Sequence, residues 1–377
     1  MTAISRGVSP GQYATRAGVN RAHKNNMRIA QVAPLIERVP PLLYGGTERV
    51  VAFLTDELVR RGHDVTLFAS GDSHTRGTLM PMCLTALRLS DCRDTLAPHI
   101  LMVEEIAQRA DEFDIIHFHV AHIHFPLMRR VSVAHVTTLH GRLDLPELGP
   151  LFREFNDMPV VSISDDQREP LPEAAWVRTI YHGLPLDLLE FHPARGTYLA
   201  FVGRISPEKR VDRAIAIATA CGIPLRIAAK VDPADRDYFE RDIRPLLNNP
   251  LVEFVGEISE AEKSDFLGRA KALLFPIDWP EPFGLVMIEA LACGLPVVAF
   301  RGGSVAEVID HGVTGFIVDD VQEAADAVRC IDRIDRRTCR ATFERRFNVA
   351  RMGADYLQVY EELISGTVQV TALTEAS

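Results

Sequence analysis

The segment Pro280–Pro296 reads PEPFGLVMIEALACGLP and carries two carboxylates, Glu281 and Glu289, with seven residues between them. The pattern predicts a helix that Gly284 opens, with Glu281 just before it and Glu289 inside it. A helix start presents unpaired N–H groups and a partial positive charge, which favours a phosphate or a polar sugar edge. A carboxylate accepts hydrogen bonds from vicinal hydroxyls, as acids do for ribose in dinucleotide-binding folds. Two carboxylates at this spacing suit two sugars, a transferred hexose and the ribose of a nucleotide. Taken alone, the same acids would also serve as a helix cap and a solvated charge.

Cations stand at a second place. Phe201–Lys209 reads FVGRISPEK, with Arg204 closing a predicted strand and Lys209 at the start of the next helix. Both reach over the carboxyl edge of a sheet, where they suit a diphosphate that departs without a metal and whose developing charge needs stabilising. Solvated loop charges are the plain alternative.

Tyr44-Gly45-Gly46-Thr47-Glu48 joins the first strand to the first helix. Paired glycines let a backbone approach a ligand closely, or simply make a tight turn. The loop is neither a Walker motif nor G-x-G-x-x-G. His140 follows the strand HVTTL, a position that faces a cleft but also suits a hydrogen-bonded loop histidine.

His117, His119, His122 and His124 raise the question of a metal. No carboxylate or cysteine is interleaved with them, and no metal is expected there. Asp235-Arg236-Asp237 spells D-x-D but falls in a predicted helix at 234–247, where the two acids would point apart; it reads as chance.

The elements that must position these residues form two series. Met27–Pro34, a helix over Thr47–Arg61 and Asp64–Ser70 make a strand–helix–strand unit, followed by strands at 114–119, 135–139, 159–164 and 179–182 and a helix at 101–110. From Tyr198 six further strands alternate with helix-like segments. Strands alternating with helices imply a parallel sheet covered on both faces, and two series imply two doubly wound α/β domains. The boundaries expected are a disordered tail at 1–26, a first domain at 27–190, a second at 191–345, a cross-over helix at 346–365 and a flexible tail at 366–377. Met27 is a candidate start.

Here a resemblance becomes definite. E-P-F-G-L, E-A-L-A-C-G-L-P and the glycines of R-G-G-S-V-A-E are similar to the signature of family 4 retaining glycosyltransferases with the GT-B fold, and the similarity runs over residues 27–363. It implies two facing Rossmann-like domains with a terminal helix crossing back to the first. It also implies that Glu289 contacts ribose hydroxyls, Glu281 contacts the transferred sugar, and Phe283, Gly284 and Leu285 help bind the donor. G-R-x-x-x-x-K matches at Arg204 and Lys209 and carries them over as diphosphate ligands. Arg210 stands where the family often has glycine. Gly45 and Gly46 would touch the donor from the first domain, and His140 would sit beside the hexose. Glu307 matches a family acid whose role is structural. UDP is the expected nucleotide, with no other cofactor.

Composition agrees with an enzyme of this kind. The chain has 377 residues, 47% of them hydrophobic and 24% charged, enough for two buried sheets. A net charge of −10 argues against nonspecific binding to nucleic acid or anionic membranes. The six cysteines form no C-x-x-C pair and read as free thiols of a cytoplasmic protein. No transmembrane run is present; peripheral membrane contact, the acceptor and the oligomeric state stay open. A nucleotide-sugar epimerase and a sugar-nucleotide-binding protein without turnover are the alternatives. A phosphorylase is disfavoured by its usual size and its need for pyridoxal phosphate.

Overall fold

A computed structural model describes residues 26–43 and 45–367. The expected tails fall outside these residues except for Asn26, Gly366 and Thr367, and Tyr44 of the glycine loop also lies outside them. The first sheet contains β1 (Arg28–Val32), β2 (Asp64–Ser70), β3 (Thr78–Cys83), β4 (Ile115–Phe118), β5 (Ala134–Thr138), β6 (Val160–Ser162) and β7 (Trp176–Thr179). Its order is β3-β2-β1-β4-β5-β6-β7, and every pairing is parallel.

The second sheet contains β8 (Tyr198–Arg204), β9 (Leu225–Lys230), β10 (Val252–Gly256), β11 (Ala270–Phe275), β12 (Val297–Phe300) and β13 (Gly315–Val318), in the parallel order β10-β9-β8-β11-β12-β13. Parallel strands need crossovers, which bury both faces. That is why β12, VVAF, is buried throughout instead of alternating. Each sheet reverses its direction of growth at its first strand, between β1 and β4 and between β8 and β11. The loops leaving those strands diverge there and open a crevice at the carboxyl edge.

The chain returns to the first sheet at its end. The Val349–Ser365 helix starts on an Asn348 cap and places Met352, Tyr356, Val359 and Tyr360 against Ile29, Leu54, Ile115 and Val136. Its entry is clamped by Leu184, whose N–H donates to Phe347 O and whose carbonyl accepts from Val349 N, both at 2.9 Å. Gly183 makes this crossing possible, because a Cβ there would lie 2.4 Å from the Asn348 carbonyl oxygen.

Several sequence expectations need correction. The last strand of the first sheet is β7, three residues earlier than the expected 179–182. Between β2 and β4, where no strand was expected, lies β3, a half-exposed edge strand with Pro81 in it, which lacks a buried-strand pattern. Between β5 and β6, where no helix was expected, lies the Leu148–Glu154 helix. The single helix expected at 234–247 is a chain of short helical turns over Pro233–Asn248, broken where Pro245 has no N–H to donate. The Arg336–Arg346 helix was not foreseen, since RRTCRATFERR shows little apolar periodicity. No helix among the described residues is long and apolar enough to cross a membrane. All six cysteines are free.

Candidate active site

A cavity of about 490 Å³ lies between the two sheets, and its wall includes every residue singled out above as a catalytic or donor-binding candidate. The first domain supplies Gly45, Gly46 and His140. The second supplies Arg204, Lys209, Glu281, Phe283, Gly284, Leu285 and Glu289. Two helix starts meet across it: Gly46 opens the Gly46–Arg60 helix, and a Cβ there would lie 3.5 Å from Leu285 at the start of the Leu285–Ala292 helix.

Glu281 is held from three sides. Its carboxylate pairs with the Lys209 ammonium and accepts from Trp279 Nε1 at 3.0 Å. The ammonium also lies 4.9 Å from the Trp279 ring centre, a cation–π distance. The backbone behind Glu281 is clamped by Ser304, whose N–H donates to Glu281 O and whose hydroxyl donates to Phe283 O, both at 2.9 Å. Gly303, at φ +54°, approaches so closely that a Cβ would lie 2.2 Å from Glu281 O. The R-G-G-S run therefore supports the loop carrying Glu281.

Arg204 pairs with Glu208 at 2.5 Å and with Asp235 at 3.4 Å. The first acid of the D-x-D thus sits beside Arg204, closer to the site than its helical placement suggested. Glu307 lies outside the cavity wall; its carboxylate accepts from Asp165 N and Asp166 N, at 2.7 and 2.9 Å, and ties the two domains together.

Glu289 is buried between two cations that the sequence reading passed over. Arg49 Nη1, from the first domain, lies 2.5 Å from Oε1, and Lys263 Nζ lies 3.0 Å from it. A second arm of Arg49 reaches Glu260 at 2.8 Å. Burial alone would raise the Glu289 carboxyl, but the two cations overcome it and hold the group well below the usual carboxylate range. A signal for Lys263 existed. In EAEKSDFLG it shares helical spacing with buried Phe266 and Leu267, which puts a lysine on the inward face.

His140 Nε2 lies 2.8 Å from His119 Nδ1, and the ring stacks on His182 at 5.3 Å between centres. Burial pushes its pKa down to about 3, so the ring is neutral. His117 and His119 belong to one buried hydrogen-bond network, whereas His124 bonds Thr137 at 2.8 Å. Among the described residues no group of three or more His, Cys, Asp or Glu is arranged to hold a metal.

Glu48, in the first turn after the glycines, is buried at the cavity wall, and burial pushes its carboxyl up to about 7. An acid with a raised folded-state pKa favours folding most when protonated. Its contribution is complete below about pH 4.5 and is lost as the pH rises to about 7, by up to about 3 kcal/mol. Glu48→Gln is expected to remove that loss, raising the melting temperature at pH 8 and leaving it nearly unchanged at pH 4. Melts of both proteins across this range check it, and an equal shift at both pH values would refute the assignment.

Comparison with known proteins bears on most of the chain. The family model described as glycosyl transferases group 1 matches residues 190–338, and that described as glycosyltransferase family 4 matches residues 44–188. Together they take in every strand except β1. Glycogen synthase of Mycobacterium tuberculosis is 27% identical over 361 aligned residues, covering 81% of this chain and 86% of that protein. Sucrose-phosphate synthase from Thermosynechococcus elongatus superposes with a TM-score of 0.76 at 19% identity, over 90% of this chain and 100% of that one. Anabaena HepE in complex with UDP and glucose gives a TM-score of 0.71 at 20% identity, over 89% of this chain and 100% of its own. With both halves matched and the GT-B architecture shared, the chain belongs to the family 4 glycosyltransferases.

Proposed function

We propose that this glycosyltransferase moves a hexosyl group from a nucleoside-diphosphate sugar, UDP being the favoured nucleotide, to a hydroxyl acceptor, with retention of configuration and without a divalent metal. The observation that carries the reading is the convergence of Arg204, Lys209 and the start of the Leu285–Ala292 helix at one sheet edge, beside Glu281 and Glu289. The first three supply positive charge for a departing diphosphate. Glu281 takes hydroxyls of the hexose, and Glu289 takes the ribose. UDP is favoured because HepE, of the same fold, is described in complex with UDP and glucose.

Retention follows from a front-face displacement. The acceptor oxygen bonds to the anomeric carbon as the bond to the phosphate oxygen breaks, and the acceptor proton passes to the leaving diphosphate. Because the protein itself supplies the positive partners, activity is expected to survive excess EDTA. A transfer assay with chelator, then manganese or magnesium add-back, tests this; complete loss restored by the metal would overturn the metal-free reading.

A further inference from the structure

Behind the cavity the first domain carries buried polar side chains that the transfer chemistry does not use directly. His119 Nδ1 lies 2.8 Å from His140 Nε2, and His119 Nε2 lies 2.8 Å from Gln31 Oε1. Gln31 Nε2 donates to the Tyr360 hydroxyl at 3.0 Å. That hydroxyl lies 2.7 Å from His117 Nδ1, and His117 Nε2 lies 2.7 Å from Thr138 Oγ1. Gln31 comes from β1, His117 from β4, Thr138 from β5 and Tyr360 from the terminal helix.

The chemistry of these groups gives the chain a direction. An amide oxygen only accepts, so the His119 nitrogen facing Gln31 Oε1 carries the proton. Burial holds all three histidines well below their ordinary range, so each ring is neutral, with one donor and one acceptor nitrogen. His119 Nδ1 therefore accepts, and His140 Nε2 must donate to it. The remaining nitrogen, His140 Nδ1, is left as a lone pair. It is buried and has no partner among the described residues, on a ring that lines the cavity.

We infer that His119 and Gln31, anchored by Tyr360, are positioning residues that hold His140 as its Nε2–H tautomer and leave Nδ1 to accept a hydrogen bond from a hydroxyl of the bound sugar. The identity of that hydroxyl's owner rests on the transfer reading; the tautomer does not. At Thr138 the network also reaches Tyr356, 2.9 Å away, so two tyrosines of the terminal helix contribute to setting the histidine.

Long-range proton–nitrogen spectra of histidine-labelled protein distinguish the tautomers without substrate. The His140 signals are identified by their loss in His140→Gln. The wild type is expected to show His140 as Nε2–H alone near neutral pH. Gln31→Met, which removes the amide while filling its space, is expected to admit the second tautomer and lower kcat at least about tenfold, as a wrong tautomer does in other histidine-dependent enzymes. Gln31→Glu keeps an acceptor toward His119 and should restore the Nε2–H form and most of kcat. An Nδ1–H His140 in the wild type would overturn the inference, as would a Gln31→Met protein with unchanged spectrum and kcat. Because the spectrum is taken on free protein, it decides the tautomer even if no nucleotide sugar is turned over.

Discussion

Lys209→Ala is expected to lower turnover by about two to three orders of magnitude while moving the melting temperature little. On the proposed reading the ammonium meets the charge that a leaving diphosphate gathers, and a donor aimed at developing charge acts mainly in the transition state. Its present partner, Glu281, keeps the Trp279 N–H and retains 11% exposure of its side chain, so losing the lysine does not strand a fully buried charge. Arg204→Ala should behave similarly. Its pairs with Glu208 and Asp235 are about one-third exposed on the arginine side, and such pairs contribute little to stability. Steady-state kinetics on a nucleotide sugar, alongside thermal melts, test both. Wild-type turnover in either variant would remove that cation from the diphosphate role.

The second large effect concerns Glu289, where binding and stability are joined. Glu289→Ala leaves Arg49 and Lys263 side by side, each with about a tenth of its side chain exposed, and with only the more exposed Glu260 to share between them. Leaving a buried charge wholly uncompensated costs about 3–5 kcal/mol; with Glu260 retained, the loss here is expected to fall below that range. Nucleoside diphosphate binding should weaken at least about tenfold, or about 1.4 kcal/mol. Adding Arg49→Met leaves Lys263 as the one cation facing Glu260, so the double variant should regain much of the lost stability without regaining nucleotide affinity. Glu281→Ala should show the opposite pattern, with nearly normal binding of free nucleoside diphosphate and impaired use of the intact donor. Calorimetry with UDP and with a UDP-sugar, plus melts of all four proteins, separates the cases. If Glu289→Ala and Glu281→Ala bind the two ligands alike, the division of labour between the carboxylates is wrong.

Arg49 adds a condition to that experiment. It comes from the first domain and occupies Glu289 across the cavity, so a ribose that engages the carboxylate meets a guanidinium already there. If Glu289 takes the ribose as proposed, affinity for nucleotide includes the work of sharing or releasing this contact, and Arg49→Met alone should change it.

The fold was legible because parallel sheets write themselves as apolar strands with helices between them, and the second series from Tyr198 shows that rhythm most clearly. It faded where an element does not bury a face. β3 is a half-exposed edge, and the Arg336–Arg346 helix lays four residues inward among arginines. Site candidates were visible wherever chemistry is local, as in Glu281 to Glu289 or Arg204 to Lys209. Residues that act through space were not. Arg49 and Glu289 are 240 positions apart, and nothing in GGTERVV shows that its arginine meets an acid of the other domain. His119 was noticed as a possible ligand, but its inferred positioning role depends on Gln31 and Tyr360, which only the folded chain brings together.

The return of the terminal helix makes the chain's architecture unequal. The second sheet is built from one continuous stretch, whereas the first domain is assembled from both ends of the polypeptide, with Met352, Tyr356, Val359 and Tyr360 completing its core. In topological terms the second domain is an insertion into the first. Exchange between relatives is therefore asymmetric: the inserted half can be transplanted as a single piece through two junctions, while the outer half must move as two separate segments that recognise each other. Recombination, natural or designed, would on this basis shuffle the inserted half more readily, and a graft that took only the amino-terminal part of the outer half would leave Gln31 and His117 facing another protein's helix.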